Sequence, residues 1–167
     1  VDTDDGAPYY EYFGARAGPP LKGWYARQLT DDWRLVALNS NCAEAGGCDA
    51  GSEQHDWLLA ELQAHPGDHV VAMMHHPRWS SGRNGSIDEV HPLVVALADA
   101  GADLMLAGHD HNYERFAPVD ASGEADSDGI VQFVAGTGGK SLRAVGDPIP
   151  NSRAVIEDHY GVLRLTL

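Results

Sequence analysis

The chain has 167 residues, 43% of them apolar, which is enough length and apolar material for one domain with a core. No stretch approaches the roughly 18 consecutive apolar residues that a membrane-spanning helix requires, so no membrane partner is expected. Eleven basic residues against twenty-five acidic ones leave a formal net charge of −14, and no Lys/Arg cluster offers a track for a phosphate backbone, which argues against nucleic acid as a partner.

In chain order, residues 33–38 (Trp-Arg-Leu-Val-Ala-Leu) read as a first strand. Cys42 and Cys48, the only cysteines, follow across a loop that contains Gly46 and Gly47. Thiolate zinc sites usually pair cysteines two to four residues apart with further ligands nearby, so a disulfide closing a small loop is expected, in an oxidising compartment. Ser52 fits the N-cap of a helix from 53 to about 64, ended by Pro66-Gly67, with Trp57, Leu58 and Leu62 as its buried face. Residues 70–74 (Val-Val-Ala-Met-Met) form a short apolar run bounded by Gly67-Asp68 and Pro77, which predicts a buried strand. It ends in His75-His76-Pro77.

Pro92 suits the first turn of a second helix that Gly101 terminates, and Leu104-Met105-Leu106-Ala107 predicts another buried strand. Residues 120–129 alternate acidic side chains but lack the spacing and final Glu of an EF-hand loop, so a solvated hairpin turn is expected. Residues 130–134 and 162–167 are expected as later strands, pairing antiparallel. Gly136-Thr137-Gly138-Gly139-Lys140-Ser141 departs from the phosphate-loop pattern and reads as a turn after a strand. Strands alternating with helices predict an α/β domain with helices packed on a sheet.

Both buried strands deliver histidine from their carboxyl ends. The second runs into Gly108-His109-Asp110-His111-Asn112-Tyr113-Glu114-Arg115, with two imidazoles at i and i+2 on the sheet rim. One His at a strand end is most simply a solvated or capping residue. Three from two such strands point to a shared pocket, and neutral imidazole is the commonest metal ligand. His75, His109 and His111 are therefore expected to coordinate one ion, or a pair of ions in one pocket.

The Gly108-His109-x-His111 string with Tyr113-Glu114-Arg115, together with His75 and Pro77, resembles the last motifs of calcineurin-like metallophosphoesterases, specifically their purple acid phosphatase-like branch. Weaker likenesses lie at residues 9–14, 38–42 and 136–139. The resemblance implies a four-layer α/β/β/α sandwich in which residues 1–167 form the C-terminal half of one phosphoesterase domain, with the N-terminal half missing. The family's Asp-x-His, Gly-Asp and Gly-Asn-His motifs, which supply carboxylates and an Asn, have no counterpart here, since Gly67-Asp68 falls after the first helix.

The same resemblance implies a metal-dependent hydrolase of phosphate esters, of acid phosphatase or phosphodiesterase type, with two ions (Fe, Zn or Mn) activating water. His75 and His109 would hold one ion and His111 the other. His76 would orient substrate or act as a base beside the ions, the alternative being a purely structural histidine. Arg78, Arg83 and Asn84 would contact the phosphate or leaving group, the alternative being solvated loop positions. Tyr113, Glu114 and Arg115 would fix the histidine loop. The implied partners are a phosphate ester and the N-terminal half of the same domain, and the implied location is secreted or periplasmic. The chain alone is expected to bind metal weakly and to be a negligible catalyst. Two other readings stay open: a non-catalytic remnant holding one ion, and a zinc-stabilised structural fragment.

Overall fold

The computed structural model describes residues 6–167. Seven strands form one sheet in the order β1-β2-β3-β4-β6-β5-β7, where β1 is Tyr25–Gln28, β2 Trp33–Ala37, β3 His69–Met73, β4 Leu104–Ala107, β5 Tyr113–Phe116, β6 Val131–Ala135 and β7 Ser152–Ile156. Strands β2, β3, β4 and β6 are parallel, whereas β1, β5 and β7 pair antiparallel with their neighbours. The helices are α1 (Ala7–Phe13), α2 (Glu53–Ala64) and α3 (His91–Asp99). None of the described helices is long and apolar enough to cross a membrane.

Helix α2 starts where its cap predicts, because Ser52 Oγ accepts the His55 N–H at 3.3 Å. Pro92 sits in the first turn of α3, where its missing N–H leaves no bond unmade. The two helices bury Leu58, Leu62, Leu93, Val94 and Leu97 against one sheet face made of Val36, Val70, Ala72, Met105 and Val134. Burial of each large side chain there stabilises the fold by roughly 1.5–3 kcal/mol. Arg34 projects from β2 into the same side, and Asp68 and Glu61 neutralise it at 3.0 and 2.9 Å. The opposite sheet face is also apolar, yet Leu35, Met73, Leu104, Leu106, Val131, Phe133 and Ala135 are only half-buried on it.

Parallel strands end together. The carboxyl ends of β2, β3, β4 and β6 therefore lie along one edge, in registers that align Ala37 with Met73, Met73 with Leu106, and Ala107 with Val134. β3 and β4 are direct neighbours, so the two histidine-bearing loops leave the sheet side by side.

Two expected strands need correction. Residues 130–134 become β6 one residue later, parallel to β4 and antiparallel to β5, not paired with 162–167. Residues 162–167 form no strand and Val162 is 93% exposed, and it is β7 that pairs with β5. Residues 120–129 do form a polar turn, with Asp120 Oδ1 accepting the Ser122 and Glu124 N–H groups at 2.8 and 3.0 Å.

Candidate metal centre

The ladder between β3 and β4 continues past the strand ends through Met74 N–H to Leu106 O (3.0 Å) and Gly108 N–H to His75 O (3.0 Å). These bonds hold the backbones of the two histidine loops together. His75 Nε2 consequently lies 3.1 Å from His109 Nδ1, and the ring of His76 packs against both, with centroids 4.7 Å from His75 and 4.4 Å from His109. One donor nitrogen from each of the three falls within 4.8 Å of the others.

His109 reaches this position through an uncommon backbone. Its φ is +66°, and the Asp110 N–H bonds Gly108 O at 2.7 Å, which closes a three-residue turn around it. A positive φ at a non-glycine residue in such a turn stores about 1–3 kcal/mol of strain and persists only when its surroundings over-determine it. The surroundings are dense. Asp110, fully buried, accepts the Asn84 N–H at 2.8 Å and the hydroxyl of Ser80, and Asn84 Nδ2 donates to His109 O at 3.1 Å. A Cβ at Gly82 would lie 2.3 Å from Asp110 Cγ, and one at Gly136 only 1.8 Å from Asp110 O, so neither position accepts a side chain.

His111 faces the same cavity as His75 and His109. Its Nδ1 donates to Ser141 O at 2.8 Å, the tautomer that leaves Nε2 with a free lone pair. His76 lies on the other side of His109 and is held by Ser40, whose Oγ accepts the His76 N–H at 2.9 Å and pairs with His76 Nδ1 at 2.9 Å. Asn84 lines the cavity. Arg78 does not, because its Nη1 is taken by Asp88 at 2.7 Å while Gln132 fixes its backbone N–H at 3.0 Å. Arg83 is exposed and also absent from the lining.

Tyr113 opens β5, Arg115 is exposed, and Glu114 is fully buried between them. The Glu114 carboxylate accepts from Ser81 N–H (2.8 Å), Ser81 Oγ (2.6 Å) and Ser152 Oγ (2.6 Å), tying β5 to the loop after β3 and to β7. Cys42 and Cys48 are disulfide-bonded, and no free cysteine is present among the described residues.

Lys140 and Arg143 complete the cavity wall, with Gly136, Gly138 and Gly139, around a volume of about 590 Å³. Sequence patterning alone places Lys140 in a turn and marks neither cation as part of a site. Their signal is positional: β6 lies beside β4 although β5 intervenes in the chain, so the loop after β6 meets the loop after β4. Both His75 and His109 titrate below the ordinary imidazole range. Desolvation is the main cause for each, and neighbouring imidazoles add to it, His76 first in both cases; Asp110 partly opposes the shift at His109. The two rings are thus neutral at neutral pH, the form that binds metal.

No family model matches the chain. Among curated proteins it is 34% identical over 99 residues to probable purple acid phosphatase 20 of Arabidopsis thaliana, covering 54% of this chain and 23% of that one. It is 29% identical over 125 residues to purple acid phosphatase 18 of the same plant (68% and 28%) and 29% identical over 138 residues to an acid phosphatase of Aspergillus ficuum (69% and 22%). Its homologues are purple acid phosphatases. The chain spans about a quarter of the length of these relatives. Among solved structures, the purple acid phosphatase PPD1 from yellow lupin seeds superposes with a TM-score of 0.74 at 20% identity, over 92% of this chain and 30% of that one. GAP50, the anchor in the inner membrane complex of Plasmodium, gives 0.63 at 19% identity, over 82% and 44%. The mixed α/β sheet is that of the purple acid phosphatase metallophosphoesterase fold.

Proposed function

We propose that this chain carries the histidine side of a two-metal phosphoester hydrolase centre, with His75 and His109 on one ion and His111 on the other. The carrying observation is the convergence of imidazoles on one cavity at the edge where β3 and β4 end. The donor chemistry fits. His75 Nε2 and His109 Nδ1, each able to offer a lone pair to an ion, lie 3.1 Å apart, and the Ser141 carbonyl fixes the tautomer of His111. Metal ions held by these histidines would supply Lewis acidity and lower the pKa of water there. Lys140, Arg143 and Asn84 on the cavity wall bind phosphate oxygens, Arg143 being suited to a bidentate contact. They also reverse locally the repulsion that a net charge of −14 exerts on an anionic substrate.

In this reading the carboxylate ligands come from a neighbouring half of the same domain, outside residues 1–167. The half-buried apolar sheet face and the roughly quarter-length match to the relatives support it. The Cys42–Cys48 disulfide is in keeping with a secreted protein. A second reading is favoured by one observation: His75, His76 and His109 alone place three donors within 4.8 Å, a set that suits a single ion and no catalysis.

The test compares residues 1–167 with a longer chain that supplies Asp-x-His, Gly-Asp and Gly-Asn-His motifs like those of the family. The longer protein is expected to bind two ions and turn over an aryl phosphate, while residues 1–167 bind at most one ion weakly and show negligible turnover. Robust metal-dependent turnover by residues 1–167, abolished by His109→Ala, would overturn the shared-site reading. One ion without turnover in both proteins would favour the second.

A further inference from the structure

We infer that Asp110 is the positioning residue of this centre: its buried carboxylate clamps the loop at residues 80–84 onto the turn at residues 108–110 and thereby holds the His109 ring against His75. Asp110 stands between two histidines, yet its side chain points away from the cavity wall and into the protein, where it is fully buried. There each of its two oxygens is engaged, both from one loop. Oδ1 takes the Asn84 N–H at 2.8 Å, Oδ2 takes the Ser80 hydroxyl, and Ser80 Oγ in turn accepts the Gly82 N–H at 3.0 Å. Gly82 has no room for a Cβ, so the loop wraps the carboxylate in contact. The same loop reaches back to the histidine, because Asn84 Nδ2 donates to His109 O at 3.1 Å.

These bonds act on a strained element. With His109 at φ +66°, the turn at Gly108, His109 and Asp110 holds a sparsely populated backbone, and a return to negative φ would redirect the imidazole. Asp110 opposes that return from both sides, through its side chain toward residues 80–84 and through its carbonyl, against which Gly136 is packed. A buried carboxylate left without these donors would be expensive, so the loop at residues 80–84 and the carboxylate hold each other in place.

The test uses the 167-residue chain and reads ring position directly, as the nuclear Overhauser contact between the His75 and His109 imidazoles. Asp110→Ala is expected to abolish that contact, while Asp110→Asn, which keeps an acceptor for the Asn84 N–H, retains it. Zn2+ affinity measured by calorimetry should fall by about 10–100-fold in Asp110→Ala, the usual range for loss of an orienting partner. An Asp110→Ala chain that keeps the ring contact overturns the inference. Should that variant not fold, Ser80→Ala, which removes one donor, decides in its place: an unchanged ring contact overturns the inference and a weakened one upholds it. The proposal rests on the metal reading only for the calorimetry. A wild-type chain that takes up no Zn2+ counts against that reading, while the ring contact still tests the clamp.

Discussion

His75 Nε2 and His109 Nδ1 face each other at 3.1 Å, a separation at which two neutral imidazoles either share a proton or turn both lone pairs to one ion. Zinc–nitrogen bonds of about 2.0–2.1 Å around a tetrahedral centre give nearly this nitrogen spacing. Titration of Zn2+ into the chain should therefore perturb both rings together at one equivalent. His109→Ala should weaken binding by more than the roughly 10–100-fold associated with losing an outer partner. Independent titration of the two rings would contradict a common ion.

The same pair sets a pH dependence for the metal-free chain. In the folded state both imidazoles titrate below the ordinary value of about 6.5, chiefly through desolvation. As the pH falls through that value and toward the folded ones, the unfolded chain takes up protons first, so stability is lost on acidification and recovered as pH rises. Urea midpoints should fall between pH 7.5 and pH 5, and more steeply in the wild type than in His75→Gln/His109→Gln. Equal slopes would remove these two rings as the cause.

Glu114 concerns stability rather than metal. Its buried carboxylate accepts three hydrogen bonds from Ser81 and Ser152, so Glu114→Ala leaves buried donors unpaired and should destabilise the fold by about 2–4 kcal/mol. Denaturant titration measures this, and a change under about 0.5 kcal/mol, the range of neutral surface substitutions, would show that water replaces the carboxylate.

The Cys42–Cys48 bridge spans six positions, and closing so short a loop is worth about 2 kcal/mol in the chain-entropy treatment. Mass spectrometry of unreduced material should find no alkylatable thiol. Reduction should lower the unfolding midpoint, and an unchanged midpoint would show that the bridge adds no stability.

What the sequence discloses here follows the physics of short signals. β3, β4 and α2 are legible because their apolar residues are bounded by Gly, Pro and a serine cap that act within a few residues. β5 is not, since Glu114 at its centre looks polar and only the fold reveals three donors around it. Residues 162–167 carry the alternation of a strand but pair with no strand, β7 being the one that lies against β5, a tertiary fact that periodicity does not encode. At the site, histidines beside predicted strand ends can be named. Lys140 and Arg143 cannot, because the order in which strands sit in the sheet differs from their order in the chain.

The half-buried face of Leu35, Met73, Leu104, Leu106, Val131, Phe133 and Ala135 gives the charge balance a colloidal role. Two copies that met through such faces would gain apolar burial, and a formal charge of −14 on each would oppose the encounter at low salt. Salt shortens that repulsion, from a reach of about 30 Å at 0.01 M to about 8 Å at 0.15 M. Added electrolyte would thus make the half-buried face progressively more adhesive.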